Sequence, residues 1–322
     1  MKTALIILNY NNYEDTINCI ESVEKYNTAS IKYIVVDNGS TRVDAVDKLN
    51  AYFTRRFQED YTCLGEGESC NLPLSYLTFL VSPTNDGYAC GNNKGLNLAY
   101  ADNEINRILI LNNDILFVED IIPKLIETME ELPDCAIISP ILYKKGLSEI
   151  DYNCARKNIS PSKLIKENFF HYWYRLNWKR YADRNVDRFI LKNISGQLPA
   201  VIPIDLPSGS CMLIEKDLFQ RIDSFDPHTF LYYEENILYK KVKKLGLQNY
   251  LSTQLKCIHL GASTTQKSVR LFIIDCIIHS SRYYMKHYSD CPKQIYALFY
   301  ISTLFFRLSF ILQKKLGIRT TH

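Results

Sequence analysis

The chain has 322 residues, 47% hydrophobic and 23% charged, which is the profile of a globular protein with room for about two domains of ~150 residues. Twelve glycines and eleven prolines exclude collagen-like and low-complexity chains. A net charge of +3, from 38 Lys and Arg against 35 Asp and Glu, is too balanced for a surface that binds nucleic acid as a whole. The balance hides an asymmetry: residues 266–322 hold nine basic and two acidic residues, net +7, which leaves −4 on residues 1–265.

In chain order, Met1-Lys2-Thr3-Ala4 and the apolar Leu5–Leu8 begin like a signal peptide, but Asn9, Asn11, Asn12, Glu14 and Asp15 end the run too early. The run reads as a buried first strand, and the expected compartment is the cytoplasm. Ten scattered cysteines without a CxxC pair then read as reduced thiols. Cys63 and Cys70 are the pair that could bridge, and no His pair has zinc-ligand spacing. Ile17, Ile20 and Val23 have helical spacing, and Ile31–Val36 is a second β-branched run ending in the turn residues 37–40. Strand, helix and strand within 40 residues predict a mainly parallel α/β sheet. Further strands are predicted at 76–81, 107–111, 136–139 and 209–215. Helices are predicted at 91–101, 118–131, 216–222 and 234–245, the last closed by Gly246.

Two stretches interrupt the rhythm. Residues 54–75 are polar and irregular and read as an excursion from the sheet. Residues 151–200 form a larger insert in which Phe169, Phe170, Tyr172, Trp173, Tyr174, Trp178 and Tyr181 stand among Lys and Arg. Such a mixture can pack as an amphipathic helix, meet an acceptor or a membrane, or stack on single-stranded nucleic acid. The first reading is adopted, and no nucleic-acid partner is expected. Residues 266–322 form a basic helical extension, in which 295–312 has Arg307 as its only charge. That length can span a bilayer, yet a central Arg costs ~3 kcal/mol there. A helix lying in the interface of an anionic membrane fits better. Packing on the core, or on a second copy in a homodimer, is the alternative.

Four patches fall at predicted strand ends, where open parallel sheets bind ligands. They are Asn9-Tyr10-Asn11, Asp37-Asn38-Gly39-Ser40, the stretch from Asn85 to Gly95, and Asn112-Asn113-Asp114. Each alone is also ordinary turn chemistry. The third has three glycines in nine residues, and a helix starting near Gly91 would aim its amides at an anion such as a diphosphate. It has neither Walker A nor dinucleotide-fingerprint spacing. The fourth offers one carboxylate and two amides, enough for Mg²⁺ or Mn²⁺ when diphosphate oxygens complete the shell.

Taken in order, the patches resemble family 2 inverting glycosyltransferases of the GT-A fold, in particular a bacterial rhamnosyltransferase-like branch. The likeness runs from about Thr3 to Ser263. It rests on residues 7–11, 35–40, 85–95 and 111–114, with Ser-Gly-Ser-Cys-Met-Leu-Ile at 208–214, Phe225-Asp226, Tyr232-Tyr233-Glu234-Glu235 and His259. The resemblance implies one catalytic unit over 1–265. In it Asn9, Asn11, Asp37 and Ser40 would hold the nucleoside. Asn85, Gly87, Asn92, Asn112 and Asn113 would line the nucleotide-sugar pocket. Asp114 would bind the divalent metal, Mn²⁺ or Mg²⁺, where the family has Asp-x-Asp; here the first carboxylate is the amide of Asn112. His259 would be a further ligand. Ser208, Gly209 and Ser210 would face the acceptor. The base would be Glu235, where the family usually has Asp, with Glu234 beside it.

What the resemblance implies is transfer of a sugar from dTDP-rhamnose or a UDP-sugar, with inversion, to a lipid-linked saccharide in synthesis of a bacterial surface polysaccharide such as capsule or O-antigen. The enzyme would sit peripherally on the inner face of the cytoplasmic membrane. Two other classes compete. A sugar nucleotidyltransferase would need a basic glycine-rich loop after the first strand, where Asn9-Tyr10-Asn11 stands instead. A degenerate, non-catalytic assembly partner is suggested by Asn112 and by Glu at 235.

Overall fold

The computed structural model describes residues 1–176, 188–261 and 270–315, without the side chains of 171–176, 270 and 313–315. Tyr172, Trp173, Tyr174, Trp178, Tyr181 and Ser263, singled out above, lie outside the described side chains.

Strand β1 (Lys2–Asn9) leads to helix α1 (Tyr13–Tyr26), whose first turn is capped by Asn12 accepting from the Asp15 amide. Then come β2 (Ile31–Asn38), α2 (Ala45–Phe57), β3 (Tyr61–Gly65), β4 (Leu77–Ser82), α3 (Gly87–Ala101), β5 (Ile105–Asn112), β6 (Ile115–Phe117), α4 (Ile122–Glu130) and β7 (Cys135–Tyr143). The second part holds β8 (Ala155–Arg156), α5 (Pro161–Leu176), β9 (Val201–Ile204), β10 (Leu206–Pro207), β11 (Cys211–Glu215) and α6 (Lys216–Arg221). It ends with α7 (Glu234–Lys244), β12 (Gln248–His259), α8 (Arg270–His287) and α9 (Lys293–Lys315).

The main sheet has the order β3-β4-β2-β1-β5-β11-β7-β12-β6, with β9 also paired to β12. From β3 to β5 every pairing is parallel, and β11 enters antiparallel between β5 and β7. Ala4–Ile7 and Tyr33–Val36 are fully buried because both faces of these central strands are covered. One apolar core lies under α1, α2 and α4, the other under α3, α6 and α7. Gly91 lets α3 lie close on the sheet: a Cβ there would stand 2.6 Å from Leu8 Cδ1.

Three expectations change. Residues 54–75 are not wholly outside the sheet, because Tyr61–Gly65 pairs with β4 and forms its edge. Only Leu64 of that strand is buried, so the short edge strand shows little apolar alternation to read. Helix α2, unmarked in the sequence reading, buries Leu49, Phe53 and Phe57 at helical spacing. Helix α3 begins at Gly87, one turn before Gly91, which is therefore a packing glycine rather than a helix start.

A third core joins the late elements. Leu164 and Ile165 of α5, Ile237 of α7, Tyr284 and Met285 of α8 and Phe299 of α9 pack together. All ten cysteines are free thiols.

Candidate active site

Register brings the sequence-predicted patches to one edge of the sheet. Asn9 lies opposite Asp37, Leu8 opposite Asn112, Cys211 opposite Leu111, and His259 opposite Ile115. The C-terminal ends of β1, β2 and β5 thus meet the loop before β11 and the end of β12.

The first patches form a closed hydrogen-bonded cradle. Asp37 is fully buried; it accepts from Asn9 Nδ2 at 2.7 Å, the Ser40 amide at 2.9 Å and the Ser40 hydroxyl at 2.6 Å. Asn9 Oδ1 accepts from Thr16 at 2.8 Å and lies 3.4 Å from Asn113 Nδ2. Asn113 also donates to the Asn12 carbonyl and the Thr16 hydroxyl. Asn11, with φ at 58°, uses its Oδ1 to accept the Thr41 and Arg42 amides, both at 2.7 Å. Asn38 Nδ2 donates to Asn85 Oδ1 and to the Gly87 carbonyl, each at 3.0 Å. Asn92 is buried with its amide on the Tyr88 carbonyl at 2.9 Å. Lys94, within the glycine-rich stretch, is held by Asp86 at 2.6 Å and Glu66 at 2.9 Å. Gly87 has φ +84°, and a Cβ would meet the Phe230 carbonyl oxygen at 2.2 Å, so the loop at the start of α3 and the 225–233 turn touch at backbone level.

The remaining residues are linked through 208–210. His259 Nε2 lies 3.5 Å from Asp114 Oδ2 and 3.5 Å from the Ser210 hydroxyl. Its Nδ1 lies 3.0 Å from Asp151 Oδ2, which fixes the ring from its far side. Burial alone would discharge this imidazole, but Asp114 and Asp151 outweigh it and raise its pKa to about 9. Ser208 donates to Ser210, and the Asn112 amide donates to the Ser210 carbonyl at 2.8 Å. The Gly209 amide donates to Glu235 Oε1 at 3.1 Å, while the Tyr88 hydroxyl donates to the Gly209 carbonyl at 2.6 Å. Glu235 Oε1 also lies 3.3 Å from Arg156 Nη2. Loop 208–210 therefore joins the Asp114–His259 pair to Glu235 within three residues.

Glu234 and Glu235 are adjacent but differ in surroundings. Glu235 keeps 18% of its side-chain exposure, whereas Glu234 is buried. Burial, and then the charge of Glu235, push the Glu234 pKa up to about 8. Glu234 is thus a neutral acid at pH 7. Tyr232 and Tyr233, just before α7, both have φ 71°. For bulky side chains that conformation costs of order 1–3 kcal/mol and persists only where the surroundings fix it.

The residues also suit a hard divalent cation in part. Asp114 Oδ1 is buried with no hydrogen-bond partner, and His259 Nε2 stands by the same carboxyl group. Among the described residues no three His, Cys, Asp or Glu converge as a cage, so oxygens from a ligand would complete the shell.

No family model matches the chain. The hexosyltransferase Agl10 of low-salt glycan biosynthesis in Haloferax volcanii is 25% identical over 235 residues, 72% of this chain and 58% of that protein. The chain thus spans a little over half the length of this curated relative. Three solved structures share its architecture. GalNAc-T7 with UDP, GalNAc and Mn²⁺ has a TM-score of 0.55 at 12% identity, over 98% of this chain and 57% of the other. The mannosyltransferase PcManGT from Pyrobaculum calidifontis with GDP-Man and Mn²⁺ has 0.54 at 11%, over 99% and 76%. S. aureus TarS 1–349 has 0.50 at 11%, over 100% and 76%. The fold is GT-A-like.

On this fold, sequence reasoning left out Asp151, Arg156 and Tyr88 as site residues. Asp151 is 108 residues from His259, and Arg156 is 79 from Glu235, so no local pattern joins them. Tyr88 stands in the quoted glycine-rich stretch, and its hydroxyl was the available signal.

Proposed function

We propose that the protein is an inverting glycosyltransferase that uses a nucleoside-diphosphate sugar, dTDP-rhamnose or a UDP-sugar, and a lipid-linked saccharide acceptor. The observation that carries this reading is loop 208–210, which joins a carboxylate–imidazole pair to a partly exposed carboxylate at the strand ends of a GT-A-like fold. In the reaction an acceptor hydroxyl attacks the anomeric carbon, and its proton passes to Glu235. The bond from that carbon to the diphosphate breaks, and its electron pair stays on the departing oxygen. A Mn²⁺ or Mg²⁺ ion held by Asp114 and His259 would supply countercharge to the diphosphate. Ser208, Gly209 and Ser210 face the acceptor side, and Asn9, Asn11, Asp37, Ser40, Asn85, Gly87, Asn92, Asn112 and Asn113 shape the donor cradle.

Helix α9 supports a membrane partner. Its Lys293–Leu312 stretch is long and apolar enough to cross a bilayer. Its buried side carries hydroxyls: Ser302 accepts from Asn168 at 3.1 Å, and Thr303 accepts from Arg282 at 2.9 Å. Its open side carries Leu298, Ile301, Phe305, Leu308 and Leu312, spaced by three and four. The hydroxyls share the inner side with Phe299, which is buried in the third core, but an outer side this apolar is the reverse of a helix facing water. Arg307 is held by Asp275 of α8 at 2.7 Å, which lowers the cost of its charge near lipid. In this reading the catalytic unit, residues 1–265, sits peripherally on the cytoplasmic membrane through 266–322, and the apolar outer side of α9 supports it.

With Mn²⁺ and a lipid-linked acceptor, at least one donor of a nucleotide-sugar panel is expected to release nucleoside diphosphate, with chelation stopping release. Absence of both turnover and binding across the panel overturns the reading and leaves the non-catalytic partner. Pyrophosphate release from a nucleoside triphosphate would replace it by a nucleotidyltransferase. Anionic vesicles should float the full chain, and Ile301→Asp with Leu308→Asp should abolish flotation.

A further inference from the structure

Helix α8 is built into the turn that presents Glu234 and Glu235. Asp226, at the start of that turn, is buried and gathers four donors. Its Oδ1 receives the His228 amide at 2.9 Å and faces His228 Nδ1 at 2.8 Å. Its Oδ2 receives the hydroxyl of Tyr283 of α8 at 3.0 Å and that of Tyr288, the residue just after α8. The His228 ring stacks on Tyr283, with centroids 5.0 Å apart.

The contacts continue along the turn. The edge of Phe272 meets Phe230 at 5.6 Å, the Ser280 hydroxyl donates to the Leu231 carbonyl at 2.9 Å, and Tyr284 packs on Tyr233 at 5.4 Å. On the opposite side, the Tyr88 amide donates to the Phe230 carbonyl at 2.8 Å. Tyr232 and Tyr233 thus hold a backbone conformation that bulky side chains avoid, clamped between α8 and the loop at the start of α3. Tyr233 is the residue before α7, so its backbone sets where the first turn of α7, and with it Glu235, points.

We propose that Tyr283, Tyr288 and Asp226 are positioning residues of the transfer reaction, acting through Glu235, so that the C-terminal helices brace the base as well as attach the enzyme. The inference rests on the reading of Glu235 as base. It explains why the third core includes α7: Ile237, one turn after the carboxylates, packs with Tyr284 and Met285.

The test uses the full chain with Tyr283→Phe and Tyr288→Phe together, which removes two hydroxyls and keeps both rings. The expected result is a fall in kcat of about tenfold or more, with donor KM and nucleoside-diphosphate affinity within about twofold. In a Glu235→Gln background the same pair should change the residual rate by less than about twofold, because the group it orients is gone. An unchanged kcat overturns the inference. So does a joint loss of kcat, donor affinity and melting temperature, or an equal slowing in the Glu235→Gln background. If the double variant does not fold, Tyr288→Phe alone is held to the same criteria with a smaller fall. A wild type that turns over no donor overturns the transferase reading and this inference with it; an active wild type with an indifferent pair overturns this inference alone.

Discussion

The proposed donor side and the proposed catalytic side of the site use their polar groups in opposite ways. On the donor side Asn9, Asn11, Asp37, Asn38, Asn85 and Asn113 are all engaged with protein partners. Up to residue 113, Thr78 Oγ1 is the only buried side-chain polar atom without a partner among the described residues. On the catalytic side, around the proposed metal ligand and base, Asp114 Oδ1, Arg156 Nε and Glu234 Oε1 are buried without one. An unmet buried polar group costs ~1–3 kcal/mol, and natural proteins keep few. The proposed donor cradle is therefore finished in folding, whereas the catalytic side carries an unmet cost that a ligand can relieve. Substitutions in the first should cost stability, and in the second activity.

The largest effect expected is from Glu235→Gln. Initial rates of transfer should fall by about 10²–10⁴-fold, the span that a positioned base contributes. The melting temperature should move by no more than about 2 °C, since the amide still accepts from Gly209. A variant that melts early would make Glu235 a structural group. Asn9→Ala should do the reverse. It removes a donor to the buried Asp37 and the acceptor of Thr16, and should cost about 2–4 kcal/mol, read as a fall of roughly 5–10 °C. A stability-neutral Asn9→Ala with lost donor binding would erase the contrast between the two sides.

The same division explains what was legible in the sequence. The donor patches sit within a few residues of apolar β-branched runs, so strand ends and turn residues reveal each other locally. Asn9 and Asp37 are singled out this way, and parallel register sets them opposite each other. The catalytic side is assembled from residues 88, 114, 151, 156, 209, 235 and 259, which only the folded sheet brings together. Asp114, Glu234, Glu235 and His259 were named through ordered resemblance, because an isolated acidic helix start or a lone His says little. Asp151 and Arg156 had no such motif. Helix α2 was hidden by its charged flanks, and β3 by its exposed edge. The bracing of the turn by α8 was equally invisible: the tail's tyrosines read as part of a basic apolar extension, and their hydroxyls acquire meaning only opposite Asp226.

The smallest effect on turnover, and the finest division of the catalytic side, comes from Glu234→Gln. With its folded pKa at about 8 against an ordinary 4.5, Glu234 keeps a proton that the unfolded chain releases. Its stabilising share is fully present below the unfolded value and is lost as pH rises through the folded one. The slope is as much as about 1.4 kcal/mol per pH unit in between, and it levels off above. Glutamine replaces the neutral acid and does not titrate. The two proteins should melt alike near pH 5, the wild type should then lose ground steadily up to about pH 8, and turnover at pH 7 should stay within about threefold. Thermal unfolding across that range, read beside initial rates, decides between the carboxylates. Parallel melting curves would mean that Glu234 is ionised at neutral pH, and if transfer then collapsed in the variant the base would move from Glu235 to its buried neighbour.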